Sequence, residues 1–174
     1  MFVKGIIDED FVNYKKPAMV IEFPFCDFKC DKEYGKPICQ NNPLIKIHNI
    51  EVEEEYIIER YLKNPITEAI VCQGLEPLDT MVMLFLFIKR FRDFSNDDLV
   101  IYTGYNKEEE RSQDLINFIK RKQYKNIIIK YGRYIPNQTP HYDEVLGVNL
   151  ASDNQYAERL WNIESKSNGR YRIS

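Results

Sequence analysis

Short apolar runs alternate with longer amphipathic stretches along this chain, and the alternation predicts strands separated by helices. Ala18 to Phe23 (AMVIEF) is the first such run, continuous enough for a strand buried on both faces. Ile66 to Val71 predicts a second strand that ends at Cys72-Gln73-Gly74. Leu99 to Tyr102 (LVIY) predicts a third, stopped by Thr103-Gly104, and Asn126 to Ile129 starts a fourth. Val145 to Leu150 is a candidate fifth. Between these runs, Glu53 to Lys63 carries Ile57, Ile58, Tyr61 and Leu62 at helical spacing. Asp79 to Phe91 predicts a helix with a broad apolar face. Lys107 to Lys122 predicts a charged helix whose inner stripe is Leu115, Ile116 and Ile119. Its Glu108-Glu109-Glu110 run reads as an acidic first turn, favourable to the helix dipole. Gln155 to Trp161 reads as a last helix, and Ser165 to Ser174 as a loosely ordered tail.

Strands of this kind alternating with helices predict an α/β fold with a parallel sheet covered by helices. Chemistry in such sheets gathers at the carboxyl ends of the strands. The loop after Phe23, Gln73-Gly74, Thr103-Gly104 and Lys130 all follow strand ends, so they are expected on one face.

Length and charge narrow the picture further. The chain has 174 residues and no repeat, low-complexity tract or linker, which predicts a single domain. Apolar residues make up 44% and charged residues 29%, a globular balance. The net charge is −3, from 24 basic and 27 acidic residues, with no strongly basic face, so neither nucleic acid nor anionic lipid is an expected partner. The N-terminal MFVKGIIDEDF is too acidic and too short in apolar run for a secretory signal. The longest apolar stretch, Met81 to Ile88, falls far below the roughly 20 residues that span a bilayer. A soluble, cytoplasmic protein is the expectation, with no membrane association.

The cysteines carry the main chemical signal. Three of the four, Cys26, Cys30 and Cys39, fall within FPFCDFKCDKEYGKPICQNNPL, which argues against a disulfide framework. Thiolates are soft ligands suited to iron–sulfur clusters or zinc. A [4Fe–4S] cluster usually takes four cysteines, so a loop that supplies three leaves one iron open for a substrate. Cys26 and Cys30 can clasp one edge of such a cluster, and Gly35 and Pro37 help the chain return to Cys39. Two other readings stand beside this one: incidental buried cysteines, or structural zinc completed by Cys72. Because Cys72 ends an apolar strand, where a lone cysteine commonly acts as a small hydrophobe, it is expected to line the core. His48 and His141 have no partners at metal-ligand spacing and read as surface residues.

Four further segments follow predicted strand ends. Gly74-Leu75-Glu76-Pro77-Leu78 combines a glycine that allows close backbone approach with a proline that fixes the turn. By itself it reads as a structural strand-to-helix turn. Tyr102-Thr103-Gly104-Tyr105 is a turn beside a core tyrosine or a ligand contact, and Lys130-Tyr131-Gly132-Arg133-Tyr134-Ile135 follows the next strand. In Ala151-Ser152-Asp153-Asn154-Gln155 the short polar side chains can hydrogen-bond a ligand or cap a helix.

A cysteine triad directly after the first strand of a parallel α/β sheet resembles the radical S-adenosylmethionine superfamily. Within it the chain most resembles the activating proteins of anaerobic (class III) ribonucleotide reductases. The superfamily pattern is C-x3-C-x2-C, and this chain has C-x3-C-x8-C. Ile38 stands where an aromatic residue usually packs by the adenine, and Cys39-Gln40-Asn41 is similar to the family's cysteine-x-asparagine continuation. Gly74-Leu75-Glu76-Pro77 resembles the Gly-Gly-Glu-Pro stretch that holds the cofactor's amino group, with Leu75 replacing the second glycine. Thr103-Gly104-Tyr105 resembles the activators' Thr-Gly-Tyr, Lys130 stands near a polar contact position, and Ser152-Asp153-Asn154-Gln155 is similar to their Ser-x-Asn-Gln. The resemblance spans about residues 18–160.

It implies an incomplete β/α barrel of about five or six mainly parallel strands, with a [4Fe–4S] cluster on Cys26, Cys30 and Cys39. It further implies reductive cleavage of S-adenosylmethionine to methionine and a 5′-deoxyadenosyl radical. The implied cofactor contacts are Ile38, Gly74, Leu75, Glu76, Pro77, Thr103, Gly104, Lys130, Ser152, Asn154 and Gln155. The implied partners are a large anaerobic ribonucleotide reductase or other glycyl radical enzyme, and an electron donor such as flavodoxin or ferredoxin. A radical enzyme acting on another peptide or small molecule, and a non-enzymatic iron–sulfur or zinc adaptor, are the alternatives.

Overall fold

The computed structural model describes residues 1–160. Strands β1 (Phe2–Val3) and β2 (Gly5–Asp10) open the chain, and β3 (Ala18–Phe23) follows. A long connection holds helix α1 (Lys29–Tyr34), a 3₁₀ turn (Asn42–Lys46) and β4 (Ile50–Glu51), and leads to α2 (Glu54–Lys63). Strands and helices then alternate through β5 (Ala69–Gly74), α3 (Met81–Phe94), β6 (Asp98–Tyr102), α4 (Glu110–Lys122) and β7 (Ile127–Tyr131). A hairpin of β8 (His141–Asp143) and β9 (Val148–Leu150) precedes β10 (Tyr156–Leu160).

Six strands form one sheet in the order β10-β7-β6-β5-β3-β2. Its four inner strands run parallel, and the two outermost are antiparallel to their neighbours. The fold is therefore α/β with a mostly parallel sheet. Side chains alternate between its faces as the pleat requires. Met19, Ile21, Ile70, Cys72, Leu99, Ile101, Ile127 and Ile129 pack against α2, α3 and α4. Ala18, Val20, Ala69, Val71, Val100 and Ile128 share a second core with Tyr14, Leu146, Leu150 and Ala157. Burial on both faces explains why the inner strands read as unbroken apolar runs.

The helix-side core is the larger, and α3 supplies its aromatic centre. Phe91 meets Tyr61 edge-on at 5.4 Å and stacks with Phe87 at 6.1 Å. Truncating such a fully buried ring to alanine costs about 3–5 kcal/mol. The other face is covered by residues 11–17 and the β8–β9 hairpin, and polar contacts hold that cover down. The Tyr14 hydroxyl donates to Asp98 at 2.9 Å, and Asp98 also pairs with Lys16 at 2.8 Å and Arg159 at 2.6 Å. The Tyr102 hydroxyl donates to the Asn13 carbonyl at 2.6 Å. The cover stops short of the strand ends, which leaves an opening there.

Several elements differ from the sequence reading. The expected helix from Gln155 is strand β10, antiparallel to β7, and Trp161 lies outside the described residues, as does the 165–174 tail. As a strand, the segment turns Ala157 into the second core and lays Tyr156 against Tyr131 at 5.4 Å. The expected fifth strand, Val145 to Leu150, is shorter and lies outside the main sheet. Asp143 accepts from the Leu146 amide at 2.8 Å and Gly147 adopts φ 74°, which folds the segment back onto β8. The second strand starts at Ala69, not Ile66, and includes Cys72. A 3₁₀ turn (Pro77–Thr80) precedes α3. Helix α4 starts at Glu110, so of Glu108-Glu109-Glu110 only Glu110 lies in its first turn, with Glu109 as the N-cap. His141 is half-buried in β8, whereas His48 is exposed. Among the described residues no helix is long and apolar enough to cross a membrane.

Candidate functional site

A cavity of about 270 Å³ opens at the carboxyl ends of β3, β5, β6 and β7, on the helix-free face of the sheet. Gln73, Tyr102 and Lys130 each stand two residues beyond an inward-facing core residue, and all three line it. Cys26, Cys30 and Cys39 line it as well. The loop after β3 and the turn after β5 are laced together, since the Leu75 amide donates to Phe23 at 3.1 Å and the Glu76 amide to Phe25 at 2.7 Å. This lacing places Cys26 beside the Gly74–Glu76 turn. Gly74 has φ 92°, and a Cβ there would meet Glu22 Cα and Phe23 N at 2.8 Å. No other residue fits.

Cys30 sits in α1, which the sequence reading treats as loop. That helix buries none of its residues and begins at Phe28 in the left-handed region, so no amphipathic stripe betrays it. Polar contacts fix it instead. Lys29 pairs with Glu109 at 2.6 Å, Arg133 grips the same carboxylate at 2.8 and 2.9 Å, and Arg133 also pairs with Glu33 at 3.5 Å. Arg133 and Lys29 first among other donors hold the Glu109 carboxyl down to about 2. Farther along, the Asn41 side chain donates to the Gly74 carbonyl and ties the residues after Cys39 to the end of β5.

Burial pushes the Cys26 thiol up to about 12, aided by the charges of Glu76 and Asp79. Burial, then Cys39 and Asp31, push Cys30 up to about 12. Deprotonating these thiols at neutral pH calls for a compensating cationic centre. Among the described residues, the three ligand atoms within 4.8 Å of one another are those of Cys26, Asp27 and Asp79. The Asp79 carboxylate of that trio already accepts from Tyr105 at 2.7 Å and the Asp27 amide at 2.8 Å. Cys26, Cys30 and Cys39 do not form such a close trio. Tetrahedral zinc with Zn–S near 2.3 Å would hold its sulfurs about 3.8 Å apart. Cys30 and Cys39 lie in side-chain contact, and Cys26 lines the same cavity. Cys72, the fourth thiol, lies fully buried in the helix-side core.

Glu76 and Lys130 are the buried charges of the cavity. The Glu76 carboxylate accepts from Leu78 N at 3.0 Å, Thr103 Oγ1 at 2.7 Å and Gly104 N at 2.8 Å. Burial outweighs these donors and raises its pKa to about 7. Lys130 donates to the Gly132 carbonyl at 2.8 Å. Burial lowers its pKa to about 8 against the opposing pull of Glu76. Two groups of opposite charge that titrate near neutrality in one concave site are suited to holding a zwitterionic or proton-exchanging ligand.

Of the residues singled out in the sequence, Cys26, Cys30, Cys39, Gly74, Leu75, Glu76, Thr103, Gly104, Lys130 and Gln155 line the cavity. Ile38, Pro77, Ser152 and Asn154 do not. Pro77 is buried at the start of the 3₁₀ turn. Ser152 Oγ accepts from Ile135 N at 3.3 Å, and Asn154 donates to the Arg133 carbonyl at 2.9 Å, so both brace the β7 end. Gln155 joins them through the Ala151 and Ser152 amides and the Gly132 carbonyl. These residues precede a strand, so they cap no helix. Sequence reading missed Val12 and Asn13 as lining residues and named Tyr102 and Arg133 only within strand-end segments, while Gln73 stands on the expected face; it also missed the ionic hub at Glu109. Comparison with protein-family models, with curated proteins and with solved structures returns no match.

Proposed function

We propose that the chain is a radical S-adenosylmethionine enzyme built as an incomplete β/α barrel, with a [4Fe–4S] cluster on Cys26, Cys30 and Cys39. The observation that carries this reading is convergence. Three cysteines from one loop and the turns after β5, β6 and β7 meet in a single cavity, in the chain order that the resemblance implies. When bound, the reduced cluster would supply the electron that cleaves S-adenosylmethionine to methionine and a 5′-deoxyadenosyl radical.

The chain's own residues bind, orient and exclude water. Gly74 and Leu75 line the cavity at the end of β5, with Gly74 packed closely against the end of β3. Glu76 spends three acceptor positions internally and keeps capacity for a ligand amino group, since a carboxylate accepts about four hydrogen bonds. Lys130 has N–H donors left beyond the one given to Gly132, which suits a ligand carboxylate. The zinc-adaptor alternative relies on Cys72, which faces the opposite core.

In this reading the target is a glycine of a large anaerobic ribonucleotide reductase or another glycyl radical enzyme, converted to a glycyl radical in the cytoplasm. Flavodoxin or ferredoxin would deliver the electron. The test is to incubate anaerobically reconstituted, reduced protein with S-adenosylmethionine and a candidate reductase. Methionine, 5′-deoxyadenosine and a glycyl-radical doublet in electron paramagnetic resonance are expected. A cluster that leaves S-adenosylmethionine intact overturns the enzyme. Cleavage without the doublet overturns only the partner.

A further inference from the structure

The eight residues between Cys30 and Cys39 make a long insert, yet both thiols line the same cavity. Asp31 accounts for this. Its Oδ1 accepts from Ile38 N and from Cys39 N, each at 2.9 Å, and lies 3.7 Å from Cys30 Sγ. Its Oδ2 accepts from Asn42 Nδ2 at 3.5 Å. One carboxylate thus closes the insert into a ring whose two ends are Cys30 and Cys39. Inside the ring, α1 takes up the first residues, and Gly35 at φ 74° turns the chain with nothing within 4 Å of its missing side chain.

Apolar packing cannot place this ring, because α1 buries no residue and Tyr34, Gly35, Lys36 and Pro37 are exposed. Ligand chemistry does not explain the acid either. A carboxylate beside thiols disfavours their ionised form, and Asp31 is among the groups that raise Cys30. Its hydrogen bonds to the backbone are the contribution that remains.

We infer that Asp31 is a positioning residue: by accepting the Ile38 and Cys39 amides it holds the Cys39 thiol beside that of Cys30, so that a C-x8-C spacing presents two thiols as one edge of a metal site. The metal site itself rests on the proposed function; the pairing of the thiols does not. The test therefore uses metal-free protein equilibrated anaerobically in glutathione buffers. There the two thiols are oxidised to a disulfide while glutathione disulfide is reduced to two glutathione thiols. Peptide mapping by mass spectrometry identifies the pair and gives its equilibrium constant, which reports the thiols' effective concentration.

Asp31→Ala frees the ring and is expected to lower that constant at least about tenfold, the equivalent of losing one modest charge-assisted contact. Asp31→Asn keeps an oxygen at the Oδ1 position and should stay within about threefold of the unchanged chain. Circular dichroism confirms that each variant is folded. Equal pairing in Asp31→Ala, or equal loss in Asp31→Asn and Asp31→Ala, overturns the inference. Iron and sulfide reconstitution of the same three proteins keeps the two ideas apart. If none takes up iron while the pairing pattern holds, the cluster reading fails and the role of Asp31 stands.

Discussion

Glu76→Gln puts the balance of forces in the cavity to a sign test. In the folded chain the carboxylate accepts from Leu78 N and Thr103 on one oxygen and from Gly104 N on the other. Burial nevertheless lifts its pKa from 4.5 to about 7. A carboxyl whose folded pKa is raised is protonated in the folded state while already ionised in the unfolded one between these values. Stability must then fall as pH rises from about 4.5 to about 7. At 1.36 kcal/mol per tenfold step, the loss amounts to about 3 kcal/mol. Glutamine does not titrate and removes it. Glutamine also turns an NH₂ toward one backbone N–H, either Gly104 or Leu78, at a cost of about 1–3 kcal/mol. Metal-free Glu76→Gln should therefore be the less stable protein at pH 5 and the more stable one at pH 8, with the two curves crossing in between. Urea unfolding of both proteins at half-unit pH steps measures the difference and cancels the other titrating groups. A difference that is flat with pH, or that moves against the variant as pH rises, would show that the three donors outweigh burial and would refute the reasoning.

Three other outcomes follow from charged side chains. Lys130 has its pKa lowered to about 8 from 10.5, so it destabilises the fold below pH 8 and is relieved between pH 8 and 10.5; Lys130→Met should gain about 1–3 kcal/mol at pH 7 in urea unfolding, and no gain would sink the reading. Asp98, held down to about 2 by Arg159, Lys16 and Tyr14 against burial, contributes stability above pH 3.8 that is lost as pH falls toward 2. Asp98→Asn should remove about 2 kcal/mol of that acid sensitivity, seen as a shallower pH dependence of urea midpoints below pH 4. Glu109→Ala releases Lys29 and Arg133 together, so amide exchange over 29–34 should quicken about two- to fivefold; unchanged exchange would mean that α1 is held by something else.

The inner strands were legible because burial on both faces writes an uninterrupted apolar run into Ala18 to Phe23 and into residues 69–72. The edge strands were not. In β2, GIIDED, and in β10, YAERL, solvent takes part of each strand and charged residues replace the run. Tyr156, Ala157 and Leu160 even fall at a spacing that mimics a helical stripe. The cysteines, Gly74-Leu75-Glu76 and Thr103-Gly104 were found because strand ends of a parallel sheet share one rim, so chain order alone predicts proximity. Ser152 and Asn154 failed for the converse reason. Their polar side chains brace backbone at the end of β7, and a brace and a ligand contact use the same residue types. Glu109, Arg133 and Asp31 could not be recognised at all, because ionic contacts across 24 residues or a ring closed by one carboxylate leave no periodic trace.

Metal analysis of the anaerobically reconstituted protein tests the central claim most directly. About four iron and four sulfide ions per chain are expected for a [4Fe–4S] centre, with an axial signal on reduction that changes when S-adenosylmethionine is added. Replacing Cys26, Cys30 or Cys39 with alanine should abolish the centre, and Cys72→Ala should retain it. One zinc ion per chain, held tightly and lost on replacing Cys72, would contradict the account.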